Sequence, residues 1–123
     1  MSNYIEKRRY RRIGVRVPIQ YKELHGKPNA QKGALSKNIS EGGVKFNTDK
    51  FISLACRMLV EVNLPTEPKP IKAISKVAWI RKLPAGDDYE VGNQFLDMTK
   101  TDKSTITEYV KGYMGEDGES ADL

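Results

Sequence analysis

The sequence predicts a mainly β domain: a six-stranded antiparallel, Greek-key-like β-barrel with a C-terminal α-helix. Three observations carry this expectation. Six short stretches show the two-residue apolar alternation of half-buried strands. Turn residues separate them and no helical pattern intervenes, as in small closed all-β folds. From Asp102 the apolar spacing changes once to the helical period.

A length of 123 residues fits one domain. Its expected parts are a flexible basic arm at 1–11, the barrel with its helix at 12–114, and a disordered acidic tail at 115–123. The arm is polar and has no apolar periodicity. In the first strand, 12–22, Ile13, Val15, Val17, Ile19 and Tyr21 share one face, and Arg12, Arg16, Gln20 and Lys22 share the other. Pro18 lies outward and has no N–H, which favours an edge or a bulge. The run His25-Gly26-Lys27-Pro28-Asn29 reads as a turn, with His25 facing solvent. The second strand covers 31–39, and a polar turn spans 38–43. The third covers 43–48, with Val44 and Phe46 inward. The connection 49–56 is expected to hold a helical turn. The fourth strand, 58–64, turns Met58, Val60, Val62 and Leu64 to one face. Pro65, Pro68 and Pro70 then forbid regular pairing. The fifth strand, 71–81, puts Ile71, Ala73, Ser75, Val77 and Trp79 in one register. A turn at 84–88 precedes the sixth strand, 89–96. In the helix, Ile106, Tyr109, Val110 and Tyr113 form the buried stripe, Thr101 or Asp102 caps the start, and Gly115 ends it.

The net charge of +5 points to an anionic partner, and the charge is uneven. Residues 7–16 carry six Lys and Arg, whereas 116–122 carry four acids and no base. A single cysteine, Cys56, excludes an internal disulfide, and one Cys with one His gives no Cys/His metal site. Cys56 sits among apolar residues and reads as a packed small hydrophobe. The longest apolar run is the four residues Val77 to Ile80, too short to cross a membrane. No signal peptide is visible, so the expected location is the cytoplasm. No Ser/His/Asp set and no G-x-x-x-x-G-K loop is present, and the expected role is binding, without enzymatic activity.

Two stretches carry the binding chemistry. Arg8-Arg9-Tyr10-Arg11-Arg12 holds four arginines in five residues. Each guanidinium is always charged and makes paired hydrogen bonds to phosphate or to a guanine edge, beyond what a plain basic tail requires. Arg8 and Arg12 span roughly 13–14 Å when extended, and a bend brings them close enough to grip one dinucleotide-sized ligand. In the second stretch, Asn38-Ile39-Ser40-Glu41-Gly42-Gly43, alternation turns Asn38 and Ser40 to one face and Ile39 to the core. Both polar side chains can donate and accept. The glycines admit positive φ or a close backbone approach. An ordinary capped hairpin turn has the same composition.

Arg8-x-x-x-Arg12 and Asn38-x-Ser40-x-x-Gly43 resemble the two signatures of the PilZ domain, and Val77-x-Trp79 and Gly92-x-Gln94-Phe95 resemble later landmarks of it. The resemblance covers residues 6–112 in the right order. The residue before Arg12, often proline in that family, is Arg11 here. This changes the local bend and removes no ligand-binding group. The resemblance implies a six-stranded barrel that is a receptor for the bacterial second messenger cyclic di-GMP. It places the ligand on Arg8, Arg9, Arg12, Asn38, Ser40 and Gly43, with no other cofactor and no metal. Trp79 reads first as core from its register; the alternative borders the site and stacks on a base. No output domain is recognisable, so a downstream protein partner is expected to read the ligand-bound arm. The processes such proteins control are motility, polysaccharide synthesis (biofilm) and pilus function. Neither nucleic acid nor membrane insertion is expected. The alternative function is a small barrel binding single-stranded nucleic acid, disfavoured because no aromatics are expected on the outward strand faces.

Overall fold

The computed structural model describes residues 12–25 and 31–117. Its strands are β1 (Pro18–Glu23), β2 (Lys32–Ser40), β3 (Gly43–Thr48), β4 (Arg57–Val62), β5 (Ile71–Lys82) and β6 (Tyr89–Asp97). They are followed by one helix, α1 (Lys100–Asp117). The strands close in the order β1-β2-β3-β6-β5-β4, all antiparallel. The expected mainly β barrel with a C-terminal helix is therefore the fold observed. Two three-strand meanders are sealed where β3 meets β6 and where β1 meets β4.

Alternation builds the core. Val44 and Phe46 of β3, Met58, Val60 and Val62 of β4, and Ile71, Ala73 and Val77 of β5 are all buried. Tyr21 stacks on Phe46 and donates its hydroxyl to Thr48 Oγ1 at 2.8 Å, so its polar end is satisfied inside. Ile106 and Val110 of α1 are buried, with Tyr109 and Tyr113 packed beside them. The helix lies against β2 and β5.

Four expectations change. The first strand keeps its predicted burial pattern, but its regular part begins at Pro18. Upstream, Val17 N–H donates to Ser36 Oγ at 2.9 Å, and Val15 N–H turns back to the Ile13 carbonyl at 3.1 Å. A side chain and a tight turn thus take ladder hydrogen bonds. The 49–56 connection contains no helix. It is anchored by buried Ile52 and turns at Ala55, whose φ is +66°. Helix α1 starts earlier than predicted, because Thr99 Oγ1 accepts the Asp102 N–H at 3.0 Å and caps the first turn. Asp102 instead accepts the Lys72 N–H at 3.2 Å, tying the helix to β5. The helix also passes the predicted stop at Gly115 and reaches Asp117. A helical glycine costs only about 1 kcal/mol relative to alanine, which neighbouring turns can offset. The arm at 1–11, turn residues 26–30 and tail residues 118–123 lie outside the described residues.

Candidate functional site

The two motif stretches meet through one bridge. Ile13 and Ile39, both fully buried, exchange backbone hydrogen bonds of 2.9 and 3.0 Å. Antiparallel pairing there sets Arg12, half-buried, at the level of Ser40. Arg8 and Arg9 lie outside the described residues.

Asn38 owes its orientation to a break in β2. Register shifts between Ser36 and Asn38, leaving Lys37 as the extra residue opposite β3. Ser36 and Ile39 are consequently both buried although three apart, and Asn38 faces outward opposite Lys45. Ser40 Oγ accepts the Gly42 N–H at 3.0 Å, and Phe95 N–H donates to the Gly42 carbonyl at 2.9 Å, so the turn is clamped to β6. Gly43 needs its missing side chain for one of the two reasons expected, a close backbone approach. A Cβ there would overlap the Asn93 carbonyl oxygen, so the close approach is by strand β6. Neither Gly42 nor Gly43 has positive φ.

Trp79 is the main correction among the predicted residues. It is 39% exposed and is not core. A second break, between Val77 and Trp79, makes Ala78 the extra residue and turns the indole outward. There it lies over Gly92, where any Cβ would collide with the ring. The ladders then align Trp79 with Gly92, Gly92 with Lys45, and Lys45 with Asn38. This outer-face row crosses four strands at about 4.8 Å per step.

Beside the row sits a buried carboxylate. Glu90, 3% exposed, accepts from Lys37 Nζ and Arg81 Nε, each at 2.8 Å. Burial pushes its carboxyl up. The hydrogen bonds from Lys37 and Arg81, with the charge of Lys45, outweigh that and hold it below its ordinary value. Sequence reasoning missed Lys37, Lys45, Arg81 and Glu90. Their signal lies in pairing between distant strands, which no local pattern carries.

A groove of about 1120 Å³ lies elsewhere, between α1 and residues 65–67, lined by Tyr109 and Tyr113. None of the motif residues lines it. Asn38 of the motif and the cation Lys45 lie on the outer-face row instead. Among the described residues no group of three or more His, Cys, Asp or Glu is placed to hold a metal ion. None of the described helices is long and apolar enough to cross a membrane.

A family profile described as the PilZ domain matches residues 6–112. No curated protein matches the chain in sequence. Among solved structures, the Bacillus subtilis inhibitor of motility MotI/DgrA aligns with TM-score 0.75 and 18% identity, over 89% of this chain and 52% of that one. Escherichia coli YcgR in complex with c-di-GMP aligns with TM-score 0.72 and 17% identity, over 91% and 48%. The PilZ domain of YcgR with c-di-GMP aligns with TM-score 0.67 and 18% identity, over 92% and 98%. At these identities the likeness shows the fold. The chain spans about half the length of the first two proteins and nearly all of the isolated domain.

Proposed function

The chain belongs to the PilZ domain family, and from that premise we propose that it is a receptor for cyclic di-GMP that passes its state to a partner protein. The observation that supports this most is the Ile13–Ile39 bridge, which brings Arg12 to the Asn38–Ser40 stretch at one end of an outward row closed by Trp79. In this reading Arg8, Arg9 and Arg12 take phosphate oxygens and guanine O6/N7 edges. Asn38 and Ser40 meet the polar edge of a guanine, Gly43 keeps the strands close beneath it, and Trp79 stacks on a base. Lys45, between Asn38 and Trp79, adds positive charge. The ligand orders residues 1–11 across the row, and the surface so formed is what a partner reads in motility, biofilm or pilus control. The protein acts in the cytoplasm by binding and catalyses nothing.

Calorimetry with cyclic di-GMP tests this, with GTP and a single-stranded oligonucleotide as controls. Binding of cyclic di-GMP alone is expected. One observation favours a second reading: Trp79, contrary to expectation, is an outward aromatic near Lys45, the kind of platform on which single strands stack. Tight binding of the oligonucleotide with none of cyclic di-GMP would establish that reading instead. The switch is tested by amide exchange, which should slow markedly at residues 5–12 when ligand is added.

A further inference from the structure

The outward row depends on two register breaks, and one buried side chain reaches both of the strands that carry them. On β2 the extra residue is Lys37, and on β5 it is Ala78. Each break reverses the facing of the next residue, so Asn38 and Trp79 point outward where unbroken alternation would point them in. Glu90, on β6, holds Lys37 with one carboxylate oxygen. Its other oxygen holds Arg81, two residues beyond Trp79.

A carboxylate here runs against simple charge logic. It is costly to bury, and it repels the phosphates of any anion bound nearby. Its two hydrogen-bonded cations satisfy the buried charge and in turn are fixed by it. The geometry points to Glu90 as the positioning residue of the ligand face: through Lys37 and Arg81 it holds Asn38 and Trp79 in their outward orientation. The effect on affinity rests on the cyclic di-GMP reading, whereas the orientation of Trp79 does not.

The test is Glu90→Gln, because charge and positioning predict opposite signs. Removing the negative charge leaves Lys37 and Arg81 unneutralised and should strengthen attraction for any anion. Loss of positioning should weaken cyclic di-GMP. Expected is about tenfold weaker cyclic di-GMP binding, or ~1.4 kcal/mol, with pyrophosphate binding unchanged or tighter. Trp79 is the only tryptophan, so acrylamide quenching of intrinsic fluorescence reports its setting in the ligand-free protein, and the quenching constant should change. Cyclic di-GMP binding as tight as in the unsubstituted protein, or an unchanged quenching constant, overturns the assignment. If the unsubstituted protein itself fails to bind cyclic di-GMP, the receptor reading falls, and the quenching comparison alone decides whether Glu90 orients Trp79. Should Glu90→Gln not fold, Lys37→Met and Arg81→Met each cut one arm. The first should weaken binding with little change at Trp79, and the second should alter quenching. If neither does so, the assignment is overturned.

Discussion

Strands β4 and β2 have the same setting and opposite manners. Each pairs antiparallel with two neighbours. β4 keeps its register throughout both ladders, and buries Met58, Val60 and Val62 at strict intervals of two. β2 breaks its register against β3, and buries Ser36, Ile39 and Ser40, at intervals of three and then one. Unbroken alternation fills a core and leaves nothing aimed. A break gives up a regular ladder position and turns a chosen side chain to the outside. The barrel thus divides into a frame that stabilises and a face that is positioned.

Substitutions should separate these two regions. The largest expected effect is on the face. Arg8→Ala with Arg12→Ala removes two bidentate contacts of ~1–3 kcal/mol each, so cyclic di-GMP affinity should fall by roughly two to four decades. The melting temperature without ligand should barely move, and an unchanged dissociation constant would break the site assignment. Met58→Ala should do the reverse. This side chain is fully buried, and its truncation should cost about 2–5 kcal/mol in chemical denaturation. Affinity, measured where the protein remains folded, should stay the same. Gly43→Ala sharpens the boundary, because it touches both regions. Its new Cβ meets the Asn93 carbonyl, and overpacking of this kind costs ~1–3 kcal/mol. Gly33→Ala is its control in the same sheet, since its Cβ would sit 3.8 Å from the Ile19 carbonyl, an ordinary contact. Equal thermal shifts for the two would contradict the close β3–β6 approach.

Smaller effects follow. Ser40→Ala removes the acceptor of the Gly42 N–H and should cost about 0.5–1.5 kcal/mol of stability. A fall in affinity beyond that predicted from stability would assign Ser40 to the ligand as well as to the turn. The smallest effect is an acid dependence. Glu90 has a carboxyl held below its ordinary value of 4.5 in the fold. Its contribution is therefore present above that value and is lost as pH falls through the lowered one. Glu90→Gln should flatten the acid limb of stability against pH and leave the neutral limb parallel.

The same contrast explains what could be read in advance. Every inward residue predicted for β3 and β4 is buried, because one face meets water and period two survives along the whole strand. The run Val77 to Ile80 hid its break. All four residues are apolar, so neither facing of Trp79 looks wrong in sequence. The cap at Thr99 was missed because Thr101 and Asp102 have equally suitable side chains within one turn. The chemistry of Asn38 and Ser40 was legible locally. That of Glu90, Lys37 and Arg81 was not, since residues 37 and 90 meet only after β3 and β6 have paired. Gly43 was recognised as a place of close approach, but what approaches it belongs to a strand fifty residues away.

Closure of the sheet limits how this domain can be recognised. Each of the six strands has two strand neighbours, so among the described residues unpaired backbone is confined to strand ends, such as 78–82 of β5 beyond its ladder with β4. A partner gains little by adding a strand of its own, the mode in which backbone supplies affinity and sequence matters little, because only those short ends are open to it. It must read side chains and loops, so recognition is specified by residues that can change one at a time. Such a domain can exchange one partner for another without altering the hydrogen-bonded frame beneath.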